Sequence, residues 1–324
     1  MTELVAADIG GTHARFALAR LDDAGQVAAL GEPVVMRCAE HASLQMAWET
    51  FGAAIGRPLP RAAAIAVAGP VVGDQLKLTN NPWVIRPGQV NEKLGLDAHV
   101  LVNDFEAVGY AVGACGADQF RHICGPDTPL PDTGTISVLG PGTGLGVGLL
   151  VKRSVQDWHV LPTEGSHGDF SPVDALDDAI LAHFRRRFGR VSAERVVCGP
   201  GLADIHAALA SLENRAVQPM DDETLWSLAM SGDDSLAAAA LDRFAQALGT
   251  FAGNIALAHG AGGVVIGGGL GARLADHLPR SGFAGRFAAK GRFETLMRSL
   301  PVKLITHPQP GLFGAATAFG RKPR

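Results

Sequence analysis

At 324 residues the chain exceeds the size at which one hydrophobic core usually stops growing, so two domains are expected rather than one. Hydrophobic residues at 47%, charged residues at 19% and a net charge of -4 without a Lys/Arg block describe an ordinary globular protein. They exclude the basic footprint of a nucleic-acid binder and a polybasic membrane patch, and leave a small molecule as the expected partner.

In chain order, Leu4 to Ile9 reads as a strand, Gly10-Gly11-Thr12 as a turn, and Arg15 to Leu21 as a second strand, together a hairpin. A helix is predicted over Ser43 to Ile55, then a buried strand at Ala62 to Ala68 and a bend at Thr79 to Trp83, where Asn-Asn-Pro interrupts the chain. The apolar run at Leu101 ends in Asn103 and Asp104, and a helix follows over Phe105 to Ala114. Thr135 to Leu139 and Leu145 to Val151 form a second strand pair around a glycine-rich turn, so two hairpins in two halves of the chain echo one another. Helices are expected over Val173 to Arg187, Gly201 to Leu212, Glu223 to Met230 and Ser235 to His259. A strand at Gly263 to Ile266, the run Gly267-Gly268-Gly269, a helix, a strand at Val302 to Ile305 and a closing helix from about Leu312 complete the pattern. Pro279 to Arg292, with its basic residues among glycines, reads as a mobile surface loop whose charges are solvated.

Four cysteines, Cys38, Cys115, Cys124 and Cys198, contain no CxxC pair and read as buried thiols in a reduced compartment. The first residues offer no signal-peptide core, and no apolar run approaches the length of a membrane span, so a cytoplasmic location is expected.

Three glycine turns carry the chemical signal. Backbone amides cradle phosphates where no Cβ blocks the approach, and a Gly-Gly-Thr turn adds a hydroxyl. The first turn, Asp8 to Thr12, carries a carboxylate able to hold magnesium through water; the second, Gly140 to Gly146, is suited to terminal phosphates; the third, Gly267 to Gly269, opens a helix and is suited to an adenosine. Each is equally readable as a structural turn. No GxxxxGK[ST] loop is present, and the glycines at 140–146 lead into a strand rather than the helix that a dinucleotide fingerprint requires.

Polar groups cluster in Leu161 to Phe170, where Glu164, His167 and Asp169 lie among glycines. A solvated loop, a metal site and a set of hydrogen-bonding groups for the vicinal hydroxyls of a polyol are all compatible with that composition, although Gly165 and Gly168 disfavour the helix that a Glu-x-x-His metal site needs. Glu194 reads either as a fourth polyol ligand or as a first-turn helix acid. Asn103 and Asp104 are open to two readings, helix cap and reactive group at a strand exit.

DIGGTHARFAL, LVNDFEAVGYA, LGPGTGLGVGLLV, LPTEGSHGDFSP, SAERVVCGPGL and VVIGGGL together resemble, in order and spacing, the bacterial glucokinases of the hexokinase and actin-like ATPase superfamily. The resemblance implies an α/β chain with a two-lobed actin-like ATPase (ribonuclease H-like) fold and a cleft between a small domain, residues 1–106 plus 310–324, and a large one, residues 107–309, with dimerisation helices. It implies phosphorylation of glucose at its 6-hydroxyl with ATP and Mg2+, a homodimer, and Asp104 as general base. The implied sugar ligands are Asn103, Asp104, Glu164, His167 and Glu194. The nucleotide groups map onto Asp8, Ile9, Gly10, Gly11, Thr12, His13, Gly142, Thr143, Gly144, Gly146, Gly267, Gly268 and Gly269, with magnesium at Asp8. His13 stands where relatives often have Asn, and Pro141 replaces a small residue and stiffens the second turn. The fragment His122-Ile-Cys124-Gly falls short of the zinc pattern of related sugar kinases and repressors, so no structural zinc is expected. A kinase for mannose or an amino sugar is the alternative within the class. A repressor would need a DNA-binding helix pair before the first strand, and a chaperone or filament ATPase would have no use for Glu164 and His167.

Overall fold

The computed structural model describes residues 1–78, 81–216 and 219–322. It divides into two compact units: unit 1 holds Met1–Gly116, Trp158–Pro162 and the segment from His307 onward, and unit 2 holds Ala117–Asp157 and Thr163–Thr306. Thr79 and Asn80, part of the bend expected at Thr79 to Trp83, lie outside the described residues.

In unit 1, β1 (Thr2–Ile9) and β2 (His13–Leu21) form the expected antiparallel hairpin, closing with Ile9 opposite Ala14. Two short strands that periodicity did not reveal, β3 (Val27–Leu30) and β4 (Val34–Arg37), pair with β2. β5 (Ala62–Val67) runs parallel to β1. β6 (Leu76–Lys77) and β7 (Val84–Ile85) make a small separate pair, and β8 (Ala98–Asn103) runs parallel to β5. The near-continuous apolar runs of β1 and β5 suit strands covered on both faces. The helix Leu44–Ile55 begins one residue after Ser43 because the Ser43 side chain accepts the Met46 N–H as an N-cap, and it ends at Gly56, whose φ of 68° a side chain would strain. Its Leu44, Ala47, Trp48 and Phe51 share one buried face, where Phe51 stacks on Phe16 at 5.4 Å.

The closing helix Pro310–Arg321 lies against the helix Asp104–Ala114 within unit 1. The approach is so close that a Cβ at Gly314 would overlap the Ala107 carbonyl. Two further glycines, Gly109 and Gly113, leave a groove on the helix Asp104–Ala114 for Val160 and Trp158, which is why Trp158–Pro162 belongs to this unit. Arg321 places its guanidinium 3.6 Å above the Trp158 ring, a cation–π contact.

Unit 2 holds β9 (Phe120–Cys124), β10 (Gly134–Pro141), β11 (Leu145–Lys152), β13 (Gly263–Ile266) and β14 (Val302–Ile305), while β12 (Trp158–Thr163) has all but its last residue in unit 1. The order across the sheet includes β11–β10–β13–β14–β9. Each unit therefore contains an antiparallel hairpin joined at a glycine turn, with its first strand parallel to a later strand: β1 to β5, and β10 to β13. The echo in the sequence is a repeated substructure.

Helices Ala175–Phe188, Gly201–Leu212, Asp222–Ser231 and Ser235–His259 fall where the pattern placed them. The segment Pro279 to Arg292 does not remain a loop. It forms the helix Phe283–Ala288 flanked by two 3-10 turns, with Phe283 and Phe287 buried. Gly249 and Gly253 of the long helix make this possible, since a Cβ at either would strike the backbone of Phe283 or Phe287. Its charges are also engaged: Arg286 pairs with Asp174 and, at 3.0 Å, with Asp177. Among the described residues no helix is long and apolar enough to cross a membrane.

Candidate active site

Parallel register places three strand ends of unit 1 on one edge of the sheet. Ile9 lies opposite Val67, and Val67 opposite Asn103, so the Gly10–Thr12 turn, Gly69 and the Asn103–Asp104 pair all leave from the carboxyl ends of adjacent strands. Such edges are where open α/β sheets bind ligands. Two strand spacings separate the first turn from Asp104, about 10 Å.

Of the two readings of this pair, the helix cap belongs to Asn103. Asn103 is the N-cap: its Oδ1 accepts the N–H groups of Phe105 at 2.9 Å and Glu106 at 3.1 Å, and Glu106 accepts the Asn103 N–H in return, completing a capping box. Asn103 Nδ2 donates to the Gly69 carbonyl at 3.1 Å, which ties the ends of β5 and β8 and leaves one amide hydrogen for a ligand. Asp104 is the first helical residue, half-buried, and accepts the Phe105 N–H at 2.8 Å through Oδ1.

At the first turn, the Gly10 N–H donates to the His13 carbonyl, while the N–H groups of Gly11 and Thr12 have no partner among the described residues. Asp8 stands at the end of β1, with Arg15 of β2 directly opposite at 3.6 Å. Its side chain is 21% exposed; desolvation pushes its pKa up, and Arg15 pulls it partly back. Gly311 of the closing helix lies so near that a Cβ there would sit 2.7 Å from the carboxylate. Asp8 offers one desolvated carboxylate and Thr12 an exposed hydroxyl beside open amides. That set fits Mg2+, which takes one or two carboxylates with substrate phosphates and keeps several waters. Ile9 is buried and His13 half-buried at the two ends of the turn.

In unit 2 the second and third turns meet. Gly268, at φ 76°, lies where a Cβ would come within 2.6 Å of the Pro141 carbonyl, and a Cβ at Gly140 would overlap the Gly267 carbonyl. Gly267 donates its N–H to Leu139 at 2.8 Å. Gly267 and Gly268 are thus bare backbone packed on bare backbone, beside Gly269. Within the second turn Gly142 donates to the Gly144 carbonyl at 2.8 Å, and the N–H groups of Thr143 and Gly144 have no partner among the described residues. Gly146 follows in β11, opposite Gly140.

Glu194 lies on a four-residue helix, Ala193–Val196, opened by the Ser192 cap. It does not act only as a first-turn helix acid. Its Oε2 accepts the Leu145 N–H at 3.0 Å and occupies the space that a Gly144 side chain would need. The loop carrying Glu164 and His167 is bound to the same helix: Ala193 donates its N–H to the Gly168 carbonyl at 2.8 Å, and Phe170 donates to Val191 at 3.0 Å. Arg190 completes the attachment, donating to the His167 carbonyl at 2.6 Å and pairing with Asp169 at 2.8 Å. The segment Gly165–His167 is a 3-10 turn, which leaves the Glu164 and His167 side chains more than half exposed, 3.7 Å apart. Hydrogen bonds within unit 2 therefore join Glu164, His167, Glu194 and the second glycine turn into one assembly.

A model of the family described as glucokinase matches residues 5–322. The chain is 58% identical to the glucokinase of Zymomonas mobilis over 99% of its own length and 98% of that protein's, and 40% identical to the glucokinase of Caulobacter vibrioides over 96% and 93%. Among solved structures it is similar to a glucokinase from an Antarctic psychrotroph, with 33% identity, a TM-score of 0.85, and 99% and 100% of the two chains covered. These similarities span both units and every motif described above, and the chain belongs to the glucokinase family.

Proposed function

We propose that the chain transfers the γ-phosphoryl group of ATP to the 6-hydroxyl of glucose, with Asp104 as the general base. The observation that carries the assignment of Asp104 is the shared edge of β1, β5 and β8, where one carboxylate accompanies a turn with open amides. In this reading Asp104 accepts the proton of the 6-hydroxyl as the hydroxyl oxygen bonds to the γ-phosphorus and the bond from that phosphorus to the bridging oxygen breaks, releasing ADP, and Asn103, Glu164, His167 and Glu194 hydrogen-bond the remaining hydroxyls. The amides of Gly11, Thr12, Thr143 and Gly144 receive phosphate oxygens, and Gly267 to Gly269 present flat backbone to the adenosine. Mg2+, held through Asp8, supplies charge neutralisation on the phosphates. Most of the acceleration then comes from positioning and electrostatics, as is general for phosphoryl transfer.

The hydrogen bonds that tie the loop of Glu164 and His167 to the helix of Glu194 support a polyol as the acceptor, since they hold segments carrying three hydrogen-bonding side chains to one another. The family resemblance adds a homodimer and a cytoplasmic location to this proposal. A coupled assay of glucose, mannose and amino sugars against ATP, ADP and polyphosphate tests it. Glucose with ATP is expected to give the highest kcat/KM, and a higher value for another hexose would replace the substrate assignment.

A further inference from the structure

The first glycine turn is held from behind by residues that no motif singles out. Asn81 donates from Nδ2 to the Gly10 carbonyl at 3.0 Å, and the Cys38 thiol approaches the same oxygen at 3.6 Å. The Cys38 N–H donates to the Thr12 carbonyl at 2.9 Å. The carbonyls of Gly10 and Thr12 are thereby engaged by the protein, while the N–H groups of Gly11 and Thr12 keep no partner among the described residues. Asn81 is itself fixed: its Oδ1 accepts the Trp83 N–H at 2.9 Å, and the buried Trp83 donates from its indole to the His41 carbonyl at 2.8 Å.

We propose that Asn81 is a positioning residue for the nucleotide phosphates, holding the Gly10 carbonyl back so that the Gly11 amide faces the ligand. A peptide unit has its N–H and C=O on opposite sides, so fixing the carbonyl of Gly10 fixes the direction of the Gly11 N–H. An amide that is already aimed needs no reorganisation when the phosphate arrives, which is the source of its value. The inference rests on the proposed role of the first turn in binding ATP.

Two substitutions separate this role from a merely local one. Asn81→Ala removes both side-chain hydrogen bonds. Asn81→Asp keeps an oxygen for the Trp83 N–H but replaces the donor to Gly10 with a carboxylate oxygen facing a carbonyl. If Asn81 orients the turn, the KM for MgATP and the Kd for a non-hydrolysable ATP analogue, read by calorimetry, rise about 2- to 10-fold in Asn81→Ala, the effect of one lost hydrogen bond. The rise is at least as large in Asn81→Asp, and the Kd for glucose is unchanged in both. An Asn81→Asp variant with wild-type affinity for the analogue would overturn the inference, as would equal losses of glucose and nucleotide affinity accompanied by a lower Tm. If the wild-type chain binds the analogue but phosphorylates no hexose, the acceptor assignment fails while the role of Asn81 is still decided by the two variants.

Discussion

Asp104→Asn is expected to separate turnover from folding, because the adjacent residue carries the cap. Asn103 accepts the Phe105 and Glu106 amides and completes the box with Glu106, whereas Asp104 shares the Phe105 amide through an oxygen that asparagine keeps. Asp104 contributes to the helix mainly a negative charge in the first turn, worth about 0.3–1 kcal/mol against the helix dipole. Replacing it with a neutral isostere should lower Tm by less than about 4 °C. A general base contributes about 10²- to 10⁴-fold, equivalent to roughly 3–5 kcal/mol of transition-state stabilisation. The functional loss should thus exceed the structural one several-fold in free energy. The converse holds for Asn103→Ala, which loses the cap and the Gly69 bond and should cost about 0.5–2 kcal/mol of stability. Glucose 6-phosphate production coupled to NADPH formation gives kcat, and thermal unfolding gives Tm for both variants. An Asp104→Asn enzyme with kcat within threefold of wild type would refute the assignment of the base.

Asp8 has a pKa raised by desolvation, so its ionised form costs folding energy: the associated stability is present at low pH and lost as pH rises through the folded pKa. Asp8→Asn should therefore raise Tm at pH 7, with a gain that shrinks towards acid pH, while weakening the response to Mg2+; a lower Tm at pH 7 would contradict the desolvation argument. Gly314→Ala forces a methyl into the Ala107 carbonyl and should destabilise the protein by about 1–3 kcal/mol or more, seen as a lower Tm or denaturant midpoint. Gly268→Ala meets the Pro141 carbonyl at 2.6 Å in a left-handed conformation, so its KM for ATP should rise while glucose affinity holds. Glu194→Gln retains an oxygen for the Leu145 N–H, whereas Glu194→Ala does not; only the alanine variant should raise the KM for ATP as well as that for glucose.

Long apolar runs and sustained helical periods were legible in the sequence, and the strands at Gly263–Ile266 and Val302–Ile305 and the helix Ser235–His259 fall on the predicted residues. β3, β4, β9 and β12 were not, because four to six residues of mixed polarity show no period until a neighbouring strand supplies the pairing. The same limit hid the helix Phe283–Ala288, whose two phenylalanines become a buried face only against the glycines of the long helix. Candidate site residues were readable as chemical types, but their bonding was not. Nothing local to Glu194 points to the Leu145 amide 49 positions away, and nothing local to Asn81 points to Gly10, 71 positions away. The Asn-Asn-Pro bend marked that segment as irregular without indicating what it holds.

The closing helix has a consequence for synthesis. Unit 1 contains the first residues of the chain, yet its packing needs Gly311 against Asp8 and Gly314 against Ala107. A nascent chain emerging from the ribosome can assemble the β1–β5–β8 sheet early, but it lacks the helix that covers Ala107 until all of unit 2 has been made. Domains usually fold in the order in which they emerge. Here the order is inverted: the unit that starts first finishes last, and Asp8 acquires its final surroundings only when residues 310 and 311 arrive.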